Sequence, residues 1–133
     1  MLIDVPHVRS SIGFLGFMQN FSPSLAFKIE RVYFLTGVPV GAVRGSHGHL
    51  KLEQVIIPVM GSFDLKVVNN LGEQNIRMDN PSKGFYIKKG SWRELSNFSS
   101  NSCCLVLAST HYDPDDYYFE LESFLKLIDE QSG

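Results

Sequence analysis

A chain of 133 residues, 44% of them hydrophobic, is the size of one domain with a core of its own, expected here over residues 1–133. Its 12 basic and 14 acidic side chains leave a formal net charge of −2, which argues against a nucleic-acid footprint but leaves room for a small anionic ligand held by a few arginines. No apolar run reaches the roughly 18–20 residues that span a bilayer, and the start, MLIDVPHVRS, lacks the basic-then-apolar pattern of a secretory leader, so a cytoplasmic location with no membrane partner is expected.

The first clear element is FKIERVYFL at 27–35, whose alternation puts Phe27, Ile29, Arg31, Tyr33 and Leu35 on one face of a strand. QVIIPVM (54–60), the turn Gly61-Ser62, FDLKVV (63–68), the turn NNLGE (69–73), QNIRM (74–78), GFYI (84–87) and CCLVLA (103–108) follow. Many short strands rich in β-branched and aromatic residues, separated by turn residues, predict an all-β antiparallel sandwich or barrel. Cys103 and Cys104 are neighbours on one strand and point to opposite faces, so no disulfide between them is expected. In HYDPDD, Asp113 is placed to cap a helix with Pro114 at its first position. Tyr117, Leu121, Phe124, Leu125 and Ile128 then recur at helical spacing, which predicts one C-terminal amphipathic helix with Tyr117, Tyr118 and Phe119 as packing residues. Trp92 is likewise read as a packing residue, and His7 and His111 have no constellation around them.

Chemistry concentrates at 44–54, RGSHGHLKLEQ. On a strand His47 and His49 share a face and would point together into the barrel, with Arg44 close by. The run resembles the first motif of the cupin superfamily, with Gly41, the His-x-His pair and Gly61 in place. With six residues left before Gly61, the slot of the acidic metal ligand falls on Gln54, not Glu53. KKGSWRELSN (88–97) resembles the second motif, with Gly90 and Asn97 in place, but Arg93 stands where the last histidine ligand belongs. A permanent guanidinium cation cannot ligate a metal. It also repels one, by about 4 kcal/mol for unit charges 4 Å apart at an effective dielectric near 20. The residues thus predict a cupin scaffold that keeps its histidines and has no metal. Two imidazoles that titrate near neutrality, with arginines and a tyrosine beside them, suit proton transfer on a phosphorylated or nucleotide-linked carbonyl compound.

KIERVYFL, RGSHGHLKLEQV, GSF, GFYIKKGSWRELSNFSS and LASTHYDPDDYYF in this order resemble the sugar-nucleotide 3,4-ketoisomerases, metal-free cupins acting on dTDP-4-keto-6-deoxyglucose. The resemblance runs from about Ile29 to Leu125. It implies an RmlC-like jelly-roll barrel of antiparallel strands with a C-terminal α-helix, and an isomerase that needs no cofactor. The keto group moves from C4 to C3 through an enediol, toward 3-amino-3,6-dideoxyhexoses of lipopolysaccharide, O-antigen or S-layer glycans. It further implies a homodimer with exchanged N-terminal strands. His47 and His49 become the acid/base pair, with His49 favoured as the main base. Tyr33 holds a sugar hydroxyl or relays a proton, and Arg44 and Lys51 take the anionic groups. Arg93 faces the hexose and leans the product toward the gluco configuration, and Arg31 and Gln54 complete the substrate-binding set. Ser46 and Gly48 depart from the bulky residue and alanine usual in such enzymes. A 3,5-epimerase, a non-catalytic sugar-nucleotide-binding cupin and a metal-dependent dioxygenase are the alternatives left open.

Overall fold

The computed structural model describes residues 1–132. Eleven strands run β1 (Leu2–Asp4), β2 (His7–Ser10), β3 (Gly13–Gly16), β4 (Arg31–Thr36), β5 (Arg44–His49), β6 (Gln54–Met60), β7 (Phe63–Asn69), β8 (Gly72–Met78), β9 (Lys83–Ile87), β10 (Ser91–Ser96) and β11 (Cys103–Ala108). A 3₁₀ turn (Pro114–Asp116) and the helix α1 (Leu121–Ser132) close the chain. Antiparallel pairing gives one sheet in the order β1-β9-β6-β11-β4 and another in the order β5-β10-β7-β8, while β2 and β3 pair only with each other. This is the expected jelly-roll barrel with its C-terminal helix, and no helix among the described residues is long and apolar enough to cross a membrane.

The alternation read from the sequence builds the core. Phe63, Leu65 and Val67 of β7 face inward and meet Ile56 of β6, Phe85 and Ile87 of β9, Leu95 of β10 and Val106 of β11, all buried. Strand β6 is buried on both faces. Ile56 points into the barrel, while Val55 and Ile57 point outward against Val5, Leu25 and the partly buried Phe27 and Ile29. This outer layer corrects the first strand prediction. The strand begins at Arg31, where its partner β11 ends at Ala108, and not at Phe27. Before it, the Ile29 N–H is taken by the Asn20 side chain at 2.7 Å, and Phe27 and Ile29 leave the face that carries Tyr33 and Leu35.

The C-terminal prediction is also divided. Asp113 is a cap, accepting from the Asp115 N–H at 3.0 Å with Pro114 behind it, but what it caps is the 3₁₀ turn. Tyr117 is extended (φ −100°, ψ 124°), and Tyr118 exchanges two backbone hydrogen bonds with Gly48, at 2.8 and 3.1 Å. A residue whose N–H and C=O are committed to a bridge cannot also serve a helix, so the helix starts at Leu121. The segment 113–118 thus forms a strap across β5. Helix α1 packs behind it through Phe124 and Ile128 against Trp92, which is a core residue as expected.

Gly48 is the position where strap, strand and helix meet. A Cβ there would stand 2.7 Å from two ring carbons of the fully buried Phe124, closer than real contacts allow. Glycine between the two histidines is therefore a packing requirement of this helix. Gly48→Ala is expected to lower unfolding stability by about 1–3 kcal/mol through overpacking. Phe124→Leu in the same chain should recover part of the loss, as read from urea denaturation midpoints.

Candidate active site

The barrel mouth opens on a cavity of about 570 Å³, large enough for much of a sugar nucleotide. Its polar wall is made by Arg31, Tyr33, Arg44, His47, Gln54, Arg93 and Tyr117. Strand alternation explains Arg31 and Tyr33 on β4 and Gln54 on β6. It does not explain Arg44 with His47, three residues apart. The register of β5 against β10 shifts there: His47 faces Arg93 and Arg44 faces Leu95, so Gly45 and Ser46 together oppose Glu94. Gly45 adopts φ 65°, the left-handed conformation of a bulge, and the bulge turns Arg44 onto the cavity side.

The deepest polar group is Arg93, 1% exposed. One terminal nitrogen, Nη1, donates to Gln54 Oε1 in a short hydrogen bond, and Nη2 donates to the Ser91 carbonyl at 2.8 Å. Burial lowers the guanidinium pKa to about 10, so it is a cation at neutral pH. Gln54 passes the interaction on, its Nε2 donating to the Tyr33 hydroxyl at 2.8 Å. The amide accepts from Arg93 and donates to Tyr33 at once, which an ionised carboxylate at this position could not do. Since the tyrosine oxygen accepts there, its own O–H is left to donate into the cavity. Burial raises the Tyr33 pKa, partly countered by Arg93, which keeps that proton in place.

Beside Arg93, the rings of His47 and His49 meet edge to face at 4.7 Å between centroids. His47 lines the cavity; His49 is 1% exposed and does not. The ring that borders the cavity is thus His47, and His49, favoured from the sequence as the main base, lies behind it. Burial first and the Arg93 charge second depress both imidazoles, His47 to about 4 and His49 to about 2. Both are neutral at physiological pH and free to accept a proton.

A metal does not fit these residues. Gln54 Oε1 is occupied by Arg93, a guanidinium fills the remaining ligand position, and no group of three histidine, cysteine or carboxylate side chains able to hold an ion occurs among the described residues.

Other placements are mixed. Arg31 and Arg44 are both at the cavity, Arg31 with its guanidinium 5.2 Å above the Tyr33 ring. Lys51 is not: it is exposed and outside the cavity wall, and its backbone N–H is held by Asp116. His7 stacks on Phe14 and His111 is exposed, both away from the site. Tyr117 was read as packing, yet its ring lies 4.9 Å from His47 and 4.5 Å from His49 and forms part of the wall. Asp116 carried no signal of its own, and it is buried 3.6 Å from His49 Nδ1. Only the strap's return to β5 brings these two residues in, and the helical periodicity seen in the sequence hid it.

Comparison with known proteins identifies the family. The family model described as FdtA: WxcM-like, C-terminal matches residues 1–129. A TDP-4-oxo-6-deoxy-alpha-D-glucose-3,4-oxoisomerase of Aneurinibacillus thermoaerophilus is 36% identical over 105 residues, 79% of this chain and 76% of that protein. A variant of the 3,4-ketoisomerase QdtA from Thermoanaerobacterium thermosaccharolyticum, solved with TDP-4-keto-6-deoxyglucose, superposes with a TM-score of 0.91 at 31% identity, over 98% of this chain and 94% of that one. The TDP-quinovose 3,4-ketoisomerase WlaRB of Campylobacter jejuni gives a TM-score of 0.88 at 34% identity, over 95% and 96%.

The depressed imidazoles have a consequence for stability. A folded-state pKa below the unfolded value of about 6.5 means that the unfolded chain binds more protons between the two. The His47 contribution is thus complete above pH 6.5 and fades as pH falls toward 4. The melting temperature should drop through this window, and NMR titration of the His47 ring should show a midpoint well below 6.5.

Proposed function

The chain belongs to the FdtA family of WxcM-like proteins, and from that premise we infer that it is a sugar-nucleotide 3,4-ketoisomerase converting dTDP-4-keto-6-deoxyglucose to the 3-keto isomer. One observation carries the assignment of roles: a neutral imidazole and a tyrosine hydroxyl that accepts from Gln54 line the same cavity as a buried cation. His47 takes the proton from C3, and the electrons of that C–H bond form the C3=C4 double bond. Negative charge then gathers on the C4 oxygen, where the Tyr33 O–H and the Arg93 charge lower its energy. Tyr33 gives its proton to O4 and recovers one from O3 as the C3 carbonyl forms. The His47 imidazolium releases its proton to solvent, and C4 takes one on the opposite ring face, as the gluco configuration requires. In net terms hydrogen moves from C3 to C4 and from O3 to O4, with no gain or loss.

Arg31 and Arg44, at the mouth, offer guanidinium donors to the diphosphate, a pairing that planar forks make bidentate. Arg93 beside the hexose favours the gluco-configured product, in keeping with the likeness to a TDP-quinovose enzyme.

A second copy of the chain completes the assembly in this reading. Strand β1 is already paired with β9 of its own chain, while the β2–β3 hairpin pairs with neither large sheet and leaves Ile12 95% exposed. Strand β4 is an open sheet edge with Phe34 66% exposed. An apolar open edge and an unattached hairpin are complementary features for a homodimer.

Incubation with dTDP-4-keto-6-deoxyglucose in deuterated water should give a 3-ketone carrying deuterium at C4, by proton NMR. His47→Asn should cut the rate by about 10²–10⁴, and Tyr33→Phe by about 10²–10³, the cost of one oxyanion donor. Treatment with EDTA should leave the rate unchanged. A C5-inverted 4-ketone, or no exchange at all, would overturn the reading. In sedimentation the protein should run as a dimer, and Phe34→Asp should run as a monomer.

A further inference from the structure

Besides the backbone bridge from Tyr118 to Gly48, one side chain ties the strap to the residues that follow the histidine strand. Asp116 Oδ1 accepts the backbone N–H groups of Leu50 at 2.9 Å and Lys51 at 3.2 Å; Oδ2 accepts those of Lys51 at 3.2 Å and Leu52 at 3.1 Å. The carboxylate is thereby fixed in place, 5% exposed, with Oδ2 3.6 Å from His49 Nδ1. That separation is too long for a hydrogen bond but short for a charge contact. Neither nitrogen of His49 has a hydrogen bond of ordinary geometry among the described residues, and the backbone of Asp116 is the contact that favours a proton on this ring, so Asp116 is the residue placed to dictate which nitrogen carries it. The carboxylate does so electrostatically: it attracts an N–H dipole on the nearer nitrogen and repels a lone pair there.

We propose that Asp116 is a positioning residue for the proton-transfer pair, holding His49 as the tautomer with the proton on Nδ1 and the lone pair on Nε2. The proposal rests on the isomerase reading and adds to it what stands behind His47. When His47 takes the C3 proton, the new imidazolium lies beside a buried guanidinium. The ring of His49, 4.7 Å away, presents a lone pair and its dipole instead of a second N–H, with the Asp116 charge behind it. The groups facing His49 are His47 on its own strand, Arg93 on β10, Arg31 on β4, and Asp116 and Tyr117 on the strap. Asp116 is the anion among them, so it opposes the two arginines. Tyr117, next to Asp116 in the chain, is carried against both rings by the same attachment.

The test labels the histidines with ¹⁵N and reads the His49 tautomer by NMR at pH 7, in the full chain and in Asp116→Asn and Asp116→Glu. Kinetics with dTDP-4-keto-6-deoxyglucose run alongside. The Nδ1–H form is expected in the parent chain, and a mixed or Nε2–H form in Asp116→Asn. The expected kcat loss is about 10–100-fold, the scale for losing a residue that orients a functional histidine, with KM changed less than about threefold. Asp116→Glu should restore the Nδ1–H signal and part of kcat. Asp113→Ala, which loosens the turn without touching the charge, serves as the control for strap stability. An unchanged tautomer in Asp116→Asn, or a kcat loss matched by Asp113→Ala at the same melting temperature, would overturn the proposal. Absence of any 3-keto product from the parent chain would instead overturn the isomerase reading, while the tautomer comparison would still report on Asp116.

Discussion

A single buried cation organises this barrel. Arg93 is sequestered from water, and a charge in that position is tolerated only because its donors meet the Gln54 amide and the Ser91 carbonyl. From there its effects reach every functional side chain. It joins burial in holding both imidazoles neutral, and it repels a metal from the place where a cupin would bind one. Through Gln54 it also directs the Tyr33 proton into the cavity. The same field that disfavours protonation of the histidines would favour negative charge on a ligand oxygen in the cavity.

The strand that carries the histidines is held from both sides. On the cavity side β10 supplies Arg93 directly opposite His47, and a bulge at Gly45-Ser46 brings Arg44 around to join them. On the other side, Phe124 presses against the bare Cα of Gly48, and the strap bonds to the same glycine through two backbone hydrogen bonds. Little freedom remains for His47 and His49. Geometry this constrained suits proton transfer, in which small displacements of a base carry large penalties.

The barrel separates these tasks by layer. Its inner core is made by the alternating strands β6, β7, β9, β10 and β11, and it leaves the mouth polar. A second apolar layer, with Val5, Leu25, Phe27 and Ile29, covers the outer face of β6 and β11 at the centre of the five-stranded sheet. Exposed apolar side chains lie at the β4 edge, Phe34 among them, and on the β2–β3 hairpin, and Val32 and Val43 are exposed at the cavity itself.

Much of this could be read from residues alone. Period-two alternation in FDLKVV and QVIIPVM specified strands, because a half-buried sheet imposes that spacing. His-x-His with Arg93 in the last ligand position specified imidazoles beside a fixed cation, because the chemistry of guanidinium does not depend on the fold. Other features required the folded chain. Whether His47 or His49 meets the cavity depends on which ring the strap covers, and alternation places both on one face. The break in the helix after Asp116 is imposed by a bridge to Gly48, seventy residues earlier in the sequence, and no local pattern encodes such a pairing. Arg44 reaches the site through a register shift against β10, which β5 cannot reveal by itself. Local spacing determined the elements and the kinds of chemistry they could carry; long-range pairing decided which side chains came together, because those contacts exist only once distant strands are hydrogen-bonded.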